Sequence, residues 1–285
     1  MFDISVHKKN DIICWWSGGV TSAVAIWLAI QIYGVDRCRI IFIDTFNEHE
    51  DTYRFKDDCE VWYGKKIETI SGIGGDYKTI QDVWFSFLSL NVATGAICST
   101  QLKRIVREKW EKNNPNYTHQ VFGFDISEAN RAVSMKMNNP HTKPVFTLLL
   151  HGLTKKKCIE ELRYNFIPIP IMYMLGFHNN NCFGTGCVQG GIGYWQKMFK
   201  EFKIKFLRMA VIERQLSDLA GEPVTINKDQ SNDAKKKDAK DQLVFLVPNP
   251  KFPNNKSLVD FKPQKIESLV ECNGFCGTND LKKVV

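Results

Sequence analysis

Two sets of residues in this chain have the types and spacing to do chemistry. The first is Ser17-Gly18-Gly19-Val20-Thr21-Ser22, which ends the short apolar run from Asp11 to Trp16 and opens a longer apolar stretch, Val20 to Tyr33. At a turn from strand to helix, glycines let the backbone come close to an anion. The unpaired N–H groups of the helix start and the Ser and Thr hydroxyls then serve as donors. That is chemistry for phosphate, although a plain tight turn with Ser as helix cap fits the same hexamer. No Gly-Lys-Ser/Thr follows at the spacing of a Walker loop, so a lysine-bearing loop of that kind is excluded.

The second set is thiols. Cys182 and Cys187 flank Phe-Gly-Thr-Gly, and Cys272 and Cys276 flank Asn-Gly-Phe. Two close pairs offer four thiolates, the ligand set of a tetrahedral zinc site or an iron–sulfur cluster, with free loop thiols as the alternative. Cys182, Cys187, Cys272 and Cys276 are therefore the metal candidates. Cys14, Cys38, Cys59 and Cys158 fall in apolar or helical surroundings and read as packing residues.

Positioning these groups requires a scaffold, and the chain spells one out. A strand over Ile12–Trp16 leads through the glycine turn into a helix over Val20–Tyr33, closed by Gly34. A β-branched strand follows at Arg39–Asp44, then a surface helix over Asp51–Tyr63 closed by Gly64, then a strand at Lys66–Ile70. Strands alternating with helices predict an α/β fold, a doubly wound and mostly parallel sheet, because parallel neighbours need crossover connections. Further helices are expected at Thr79–Leu88, at Ser99–Asn113, from about Ser127, and from an N-cap at Thr154 to Phe166, with a strand at His119–Phe124. The domain edge is placed at Gly176: residues 1–176 as the nucleotide-binding α/β domain, residues 177–285 as a smaller, mainly helical, cysteine-containing region. That second region holds a Gly- and Cys-rich loop, a basic amphipathic helix over Tyr194–Ala220, and a polar stretch at 227–241 that reads as a solvated linker or insertion.

Composition bounds the function. With 285 residues, 44% hydrophobic and 24% charged, the chain has material for a large core, and disordered and fibrous classes are excluded. Its longest apolar run, Ala23 to Ile30, is far short of the roughly 20 residues of a bilayer span, and Met1-Phe2-Asp3-Ile4 does not resemble a signal peptide. A cytoplasmic protein without a membrane partner is expected. Nine cysteines, an odd number, favour thiols or metal ligands over disulfides. A net charge of +7 permits a polyanionic partner without requiring one. The loop from Cys182 to Tyr194 and the basic helix with Lys197, Lys200, Lys203, Lys205 and Arg208 fit either a nucleic acid or a solvated face.

SGGVTS resembles the PP-loop signature SGGxDS of the ATP pyrophosphatase superfamily, with Thr21 where the signature has Asp. Subsequent segments resemble that superfamily's phosphoadenosine phosphosulfate (PAPS) reductase branch. The matching residues are Asp44-Thr45, Glu48 with Asp51-Thr52-Tyr53-Arg54-Phe55, Cys98 through Arg104, Gly123-Phe124-Asp125 with Glu128 and Arg131, and Pro144 through Gly176. They run in order over roughly residues 10 to 200. The resemblance implies that Ser17, Gly18, Gly19, Val20, Thr21 and Ser22 hold nucleotide phosphates and that Asp44 and Thr45 lie near the adenosine, with Gly123 beside the nucleotide. Lys103, Arg104 and Arg131 would be cationic contacts to phosphate or sulfate. On the residues alone, Lys103, Arg104 and Arg107 also fit a solvated helix face, and Arg131 an ion pair with Glu128. Glu271-Cys272-Asn273-Gly274 resembles the branch's redox-active Glu-Cys-Gly segment, which makes Cys272 a nucleophile candidate, a role that excludes metal ligation.

Three functions follow as expectations. The first is an enzyme that binds ATP with Mg²⁺ and cleaves it at the α-phosphate. It would release pyrophosphate and adenylate a substrate for transfer of sulfur or another group, with nucleic acid as one acceptor; Lys103, Arg131 and Cys272 are its catalytic candidates. The second is a thiol-dependent PAPS or APS reductase. The third is a non-catalytic nucleotide-sensing subunit of a DNA-modification or phage-defence system, working as a homo-oligomer or within a multiprotein complex.

Overall fold

The central strand of this chain is buried on both faces, and its side chains divide between two cores. In the computed structural model, which describes residues 9–92, 95–180 and 182–266, strand β1 (Ile12–Trp16) is buried at every position. Ile12, Cys14 and Trp16 pack into one cluster, while Ile13 and Trp15 pack into another. A period of two with both faces apolar is what a strand inside a parallel sheet requires.

Strands β2 (Cys38–Asp44) and β3 (Ile67–Ser71) lie on one side of β1, and β4 (His119–Val121) and β5 (Pro144–Val145) on the other. The order is β3-β2-β1-β4-β5 and every pair is parallel. Helices α1 (Val20–Tyr33) and α2 (Glu50–Tyr63) cover one face through Val24, Ile26, Phe55 and Cys59. Trp110, Ala132 and Met135 cover the other. The sheet is thus doubly wound, and all its carboxyl ends open on one edge, where such sheets place ligands.

Next come α3 (Ile80–Phe87) and a long helical segment from Ile97 to Asn113. Its start is not regular. Residues Thr100–Arg104 form a π-helical turn before α4 (Ile105–Asn113). Such a turn shifts the face that the following side chains present, and it is here that Lys103 and Arg107 are buried rather than solvated. The solvated-face alternative fails at these two residues.

A 3₁₀ turn at Ile126–Glu128, capped by Asp125, leads into α5 (Ala129–Asn138). Thr154 caps α6 (Lys155–Tyr164) as expected, accepting the Lys157 N–H at 3.3 Å. Cys14, Cys38, Cys59 and Cys158 are all buried, as packing residues should be.

The basic helix expected over Tyr194–Ala220 is two helices, α7 (Ile192–Glu201) and α8 (Lys203–Ala220). Phe202 breaks it, with φ −135° and ψ 53°, and its ring packs against Phe177 and Phe183. The stretch 227–241 is no linker. It opens with β6 (Asn227–Lys228), which pairs antiparallel with β7 (Leu243–Phe245), itself parallel to β8 (Lys256–Ser257). Residues 230–233 and 235–241 are exposed, as a solvated insertion would be, while Asp229 takes the Lys256 ammonium at 2.8 Å and Ala234 is buried. Glu213 of α8 holds this sheet by accepting the N–H groups of Ile226 and Leu246 at 2.8 and 2.7 Å. The largest apolar cluster draws Trp84 and Leu102 together with Phe177, Trp195, Met209 and Val244, residues on both sides of Gly176. Among the described residues no helix is long and apolar enough to cross a membrane.

Candidate nucleotide site

The glycine turn sits at the carboxyl end of β1 and feeds directly into α1. Gly19 is the N-cap, with no side-chain oxygen capping the helix. Gly18 has φ +82°, and a Cβ there would lie 2.8 Å from Thr52 Cγ2, so both conformation and space ask for glycine. The Ser22 hydroxyl closes the turn internally: it accepts from the Ser17 N–H (3.1 Å) and Oγ (3.0 Å) and donates to the Gly19 carbonyl (2.9 Å). Val20 N–H reaches only a long contact, 3.4 Å, with the Tyr173 hydroxyl oxygen. That oxygen stands where an anion's oxygen would accept.

Gly123 faces this turn from the end of β4. A Cβ on it would lie 2.6 Å from both Cα and N of Ser22, so only glycine lets the two backbones meet. At the end of β2, Asp44 is buried and its Oδ1 accepts the Phe46 N–H (2.7 Å) and the Tyr53 hydroxyl (3.2 Å). This fixes Phe46 at φ +51° with its ring 64% exposed. Burial and then the Asp44 charge push the Tyr53 phenol up, so it stays a neutral donor. Thr45 beside it is buried, and its Oγ1 has no hydrogen-bond partner among the described residues.

Beneath these residues lies an ion pair. Glu48 and Lys103 are almost completely buried, with Nζ 3.5 Å from Oε1, and Glu48 Oε2 accepts the Cys182 N–H at 2.8 Å. A buried pair of this kind is weak evidence for stability, because desolvation offsets its attraction. Removing one partner, however, strands the other charge. Lys103 is therefore brought to the strand ends, whereas Arg131 is placed in an ion pair with Glu128 at 2.6 Å and stacks 4.4 Å over the Phe124 ring.

The Gly- and Cys-rich loop comes back over the turn. Asn180, fully buried, donates from Nδ2 to the Gly18 carbonyl and to Thr52 Oγ1, both at 3.0 Å, and its Oδ1 has no partner among the described residues. The sequence gives a signal for it only in the Asn-Asn-Asn run at 179–181. Thr52, Tyr53 and Tyr173 likewise join the site without having been singled out as binders.

Cys182 and Cys187 are both buried and free of disulfides. The hydrogen bond from one thiol to the other, then burial, then the Glu48 charge, hold Cys182 well above the ordinary thiol range, which keeps it protonated. Among the described residues no three His, Cys, Asp or Glu side chains gather to hold a metal. Cys272 and Cys276 lie outside the described residues.

Asp44, Glu48 and Gly123 thus surround the glycine turn between β1 and α1 at the carboxyl edge of the parallel sheet. Residues 11–74 match the phosphoadenosine phosphosulfate reductase domain family. That segment runs from β1 to just past β3 and is similar to the family there. A crystal structure of phosphoadenylyl-sulfate (PAPS) reductase from Candida auris, in a phosphate complex, is similar to this chain at 14% identity. The likeness covers 61% of this chain and 81% of that one, with a TM-score of 0.41. No curated protein sequence matches.

Proposed function

We propose that this PAPS reductase-like chain binds an adenine nucleotide over Ser17–Ser22 and cleaves ATP at its α-phosphate. The observation that carries the reading is the start of α1: no side chain caps it, and Val20 N–H has only the long contact with Tyr173. Backbone donors at a helix N-terminus at the carboxyl edge of a parallel sheet are suited to an oligophosphate. A nucleophile attacks the α-phosphorus, the bond to the bridging oxygen breaks, and both its electrons leave with pyrophosphate while the nucleophile loses its proton to solvent. The N–H groups at the start of α1 hold the leaving phosphates, Ser17 and Thr21 border them, and Lys103 offsets charge at the strand ends. Mg²⁺ enters as part of the substrate, shielding the triphosphate. Asp44 and Thr45 border the nucleoside, and Gly123 keeps the turn in place. Arg131, on α5, is engaged by Glu128 and the Phe124 ring, and no role toward the phosphates is derived for it. No role is derived for Cys272 or for a bound zinc or iron–sulfur cluster.

The match over residues 11–74 favours a second reading, a thiol-dependent reductase of a sulfated adenine nucleotide. Incubation of the purified chain with ATP and Mg²⁺, and separately with PAPS and a dithiol, distinguishes them. Pyrophosphate with an adenylated product or AMP supports the first reading. Sulfite with 3′,5′-ADP overturns it in favour of the second, and binding without turnover leaves a nucleotide-sensing module.

A further inference from the structure

Beside the end of β2, on the side toward β3 and α8, lies a cavity of about 730 Å³ that the nucleotide reading touches only at Thr45. Three cations line it: Lys78 before α3, and Lys205 and Arg208 on α8. No Asp or Glu does so. Asp82, at the start of α3, is occupied with the N–H groups of Lys78 and Thr79 at 2.8 Å. Lys205 is anchored by its bond to the Phe183 carbonyl at 2.6 Å, and burial pulls its ammonium down, with the Glu50 charge opposing this and the Arg208 charge adding to it. An anion here would relieve the effects of burial and of Arg208.

The opposite character is also present. Ile204, Leu207 and Val211 stand along one face of α8 at helical spacing, 69%, 44% and 53% exposed, with no apolar partner covering them among the described residues. Phe46 lines the cavity from the β2 end, its backbone N–H held by Asp44. Thr45, the buried hydroxyl without a partner, lines the same cavity and adjoins the proposed nucleotide site. A ligand that satisfies all of this combines a flat apolar body, a hydrogen-bonding edge and a negative charge. Lys200 and Lys203, with Glu201 between them, are exposed at the α7–α8 junction, and the excess of positive charge on this stretch suits a ligand whose charge repeats.

We infer that this cavity takes one nucleotide unit of a single-stranded nucleic acid, its base between Phe46 and the apolar face of α8 and its phosphate on Lys205 and Arg208. Base–aromatic stacking in a cationic groove is a sequence-tolerant way to hold a single strand. The cavity's position makes that strand the acceptor next to the nucleotide. Only this role as acceptor rests on the proposed ATP chemistry; the binding itself does not.

Fluorescence polarisation with a labelled ten-nucleotide single strand, measured without ATP on the full chain, tests it. The wild-type chain should bind the single strand more tightly than the duplex of the same sequence. Arg208→Glu should weaken binding at least tenfold and make the slope of log K against log salt shallower, by about one for the contact removed and more for the charge reversed. Phe46→Ala, an exposed change, should weaken it by roughly tenfold, in line with one lost stacking contact. Both variants should keep the wild-type circular dichroism spectrum. Absence of wild-type binding, equal affinity for duplex, or unchanged affinity in Arg208→Glu and Phe46→Ala would each overturn the proposal. Displacement of a labelled mononucleotide from this cavity, with no affinity for the strand, would assign it to a free nucleotide instead. ATP binding measured on the wild-type chain without oligonucleotide reports separately on the nucleotide reading, so failure of one is not mistaken for failure of the other.

Discussion

Lys103 combines a charge, burial and a place at the strand ends, and its energetics are unusually exposed to test. Lys103→Met leaves Glu48 as a buried carboxylate beside Cys182, at a cost of about 3–5 kcal/mol. The double variant Glu48→Gln/Lys103→Met removes both charges while retaining an acceptor for the Cys182 N–H, so it should recover most of that loss. Chemical denaturation measures both, and equal destabilisation by the single and double variants would refute the pairing. The double variant should still fail to turn over ATP, which separates the lysine's role toward phosphate from its role in the fold. The residue types at this site were legible in the sequence, but Lys103's burial was not. Helical spacing places Lys103, Arg104 and Arg107 in one register only if the helix is regular, and the π-helical turn at Thr100–Arg104 breaks that assumption.

Elements meet at two contacts that a single substitution would disturb. At the end of β4, Gly123→Ala drives a Cβ into the first turn of α1, with backbone atoms 2.6 Å away that have no rotamer to escape into. A loss of about 1–3 kcal/mol is expected from overpacking, together with loss of ATP affinity, read by calorimetry; retention of wild-type affinity would remove Gly123 from the site. At α8, burial raises Glu213 to about 8 while it holds β6 and the residue after β7 through backbone N–H groups. A carboxyl whose folded pKa lies above its ordinary value of 4.5 contributes most below that value and loses its contribution as pH rises through about 8. The melting temperature should therefore fall between pH 6 and pH 9 in the wild-type chain and fall less in Glu213→Gln; parallel profiles would contradict this. The parallel sheet could be read from β-branched runs alternating with helices, since both signals are local. The split of the basic helix at Phe202 could not, because it follows from ring packing against residues some twenty positions away. Nor could β6 to β8, whose polar residues find partners only in the folded chain.

Across the whole molecule, one edge of one sheet collects the glycine turn, the Asp44–Tyr53 pair, the Glu48–Lys103 pair and the cavity under α8. The region after Gly176 contributes to that edge directly, through Asn180 on the Gly18 carbonyl, Cys182 on Glu48 and the cations of α8. A nucleotide at the turn and an anionic acceptor beside it would then share a boundary at Thr45. The most direct test of the central claim is pyrophosphate release from ATP and Mg²⁺ by the full chain, followed with α-labelled ATP so that the adenylate is traced as well. Equimolar pyrophosphate and labelled AMP or adenylated product are expected, abolished in the Glu48→Gln/Lys103→Met variant. ADP with inorganic phosphate, no turnover at all, or sulfite release from PAPS under the same conditions would contradict it.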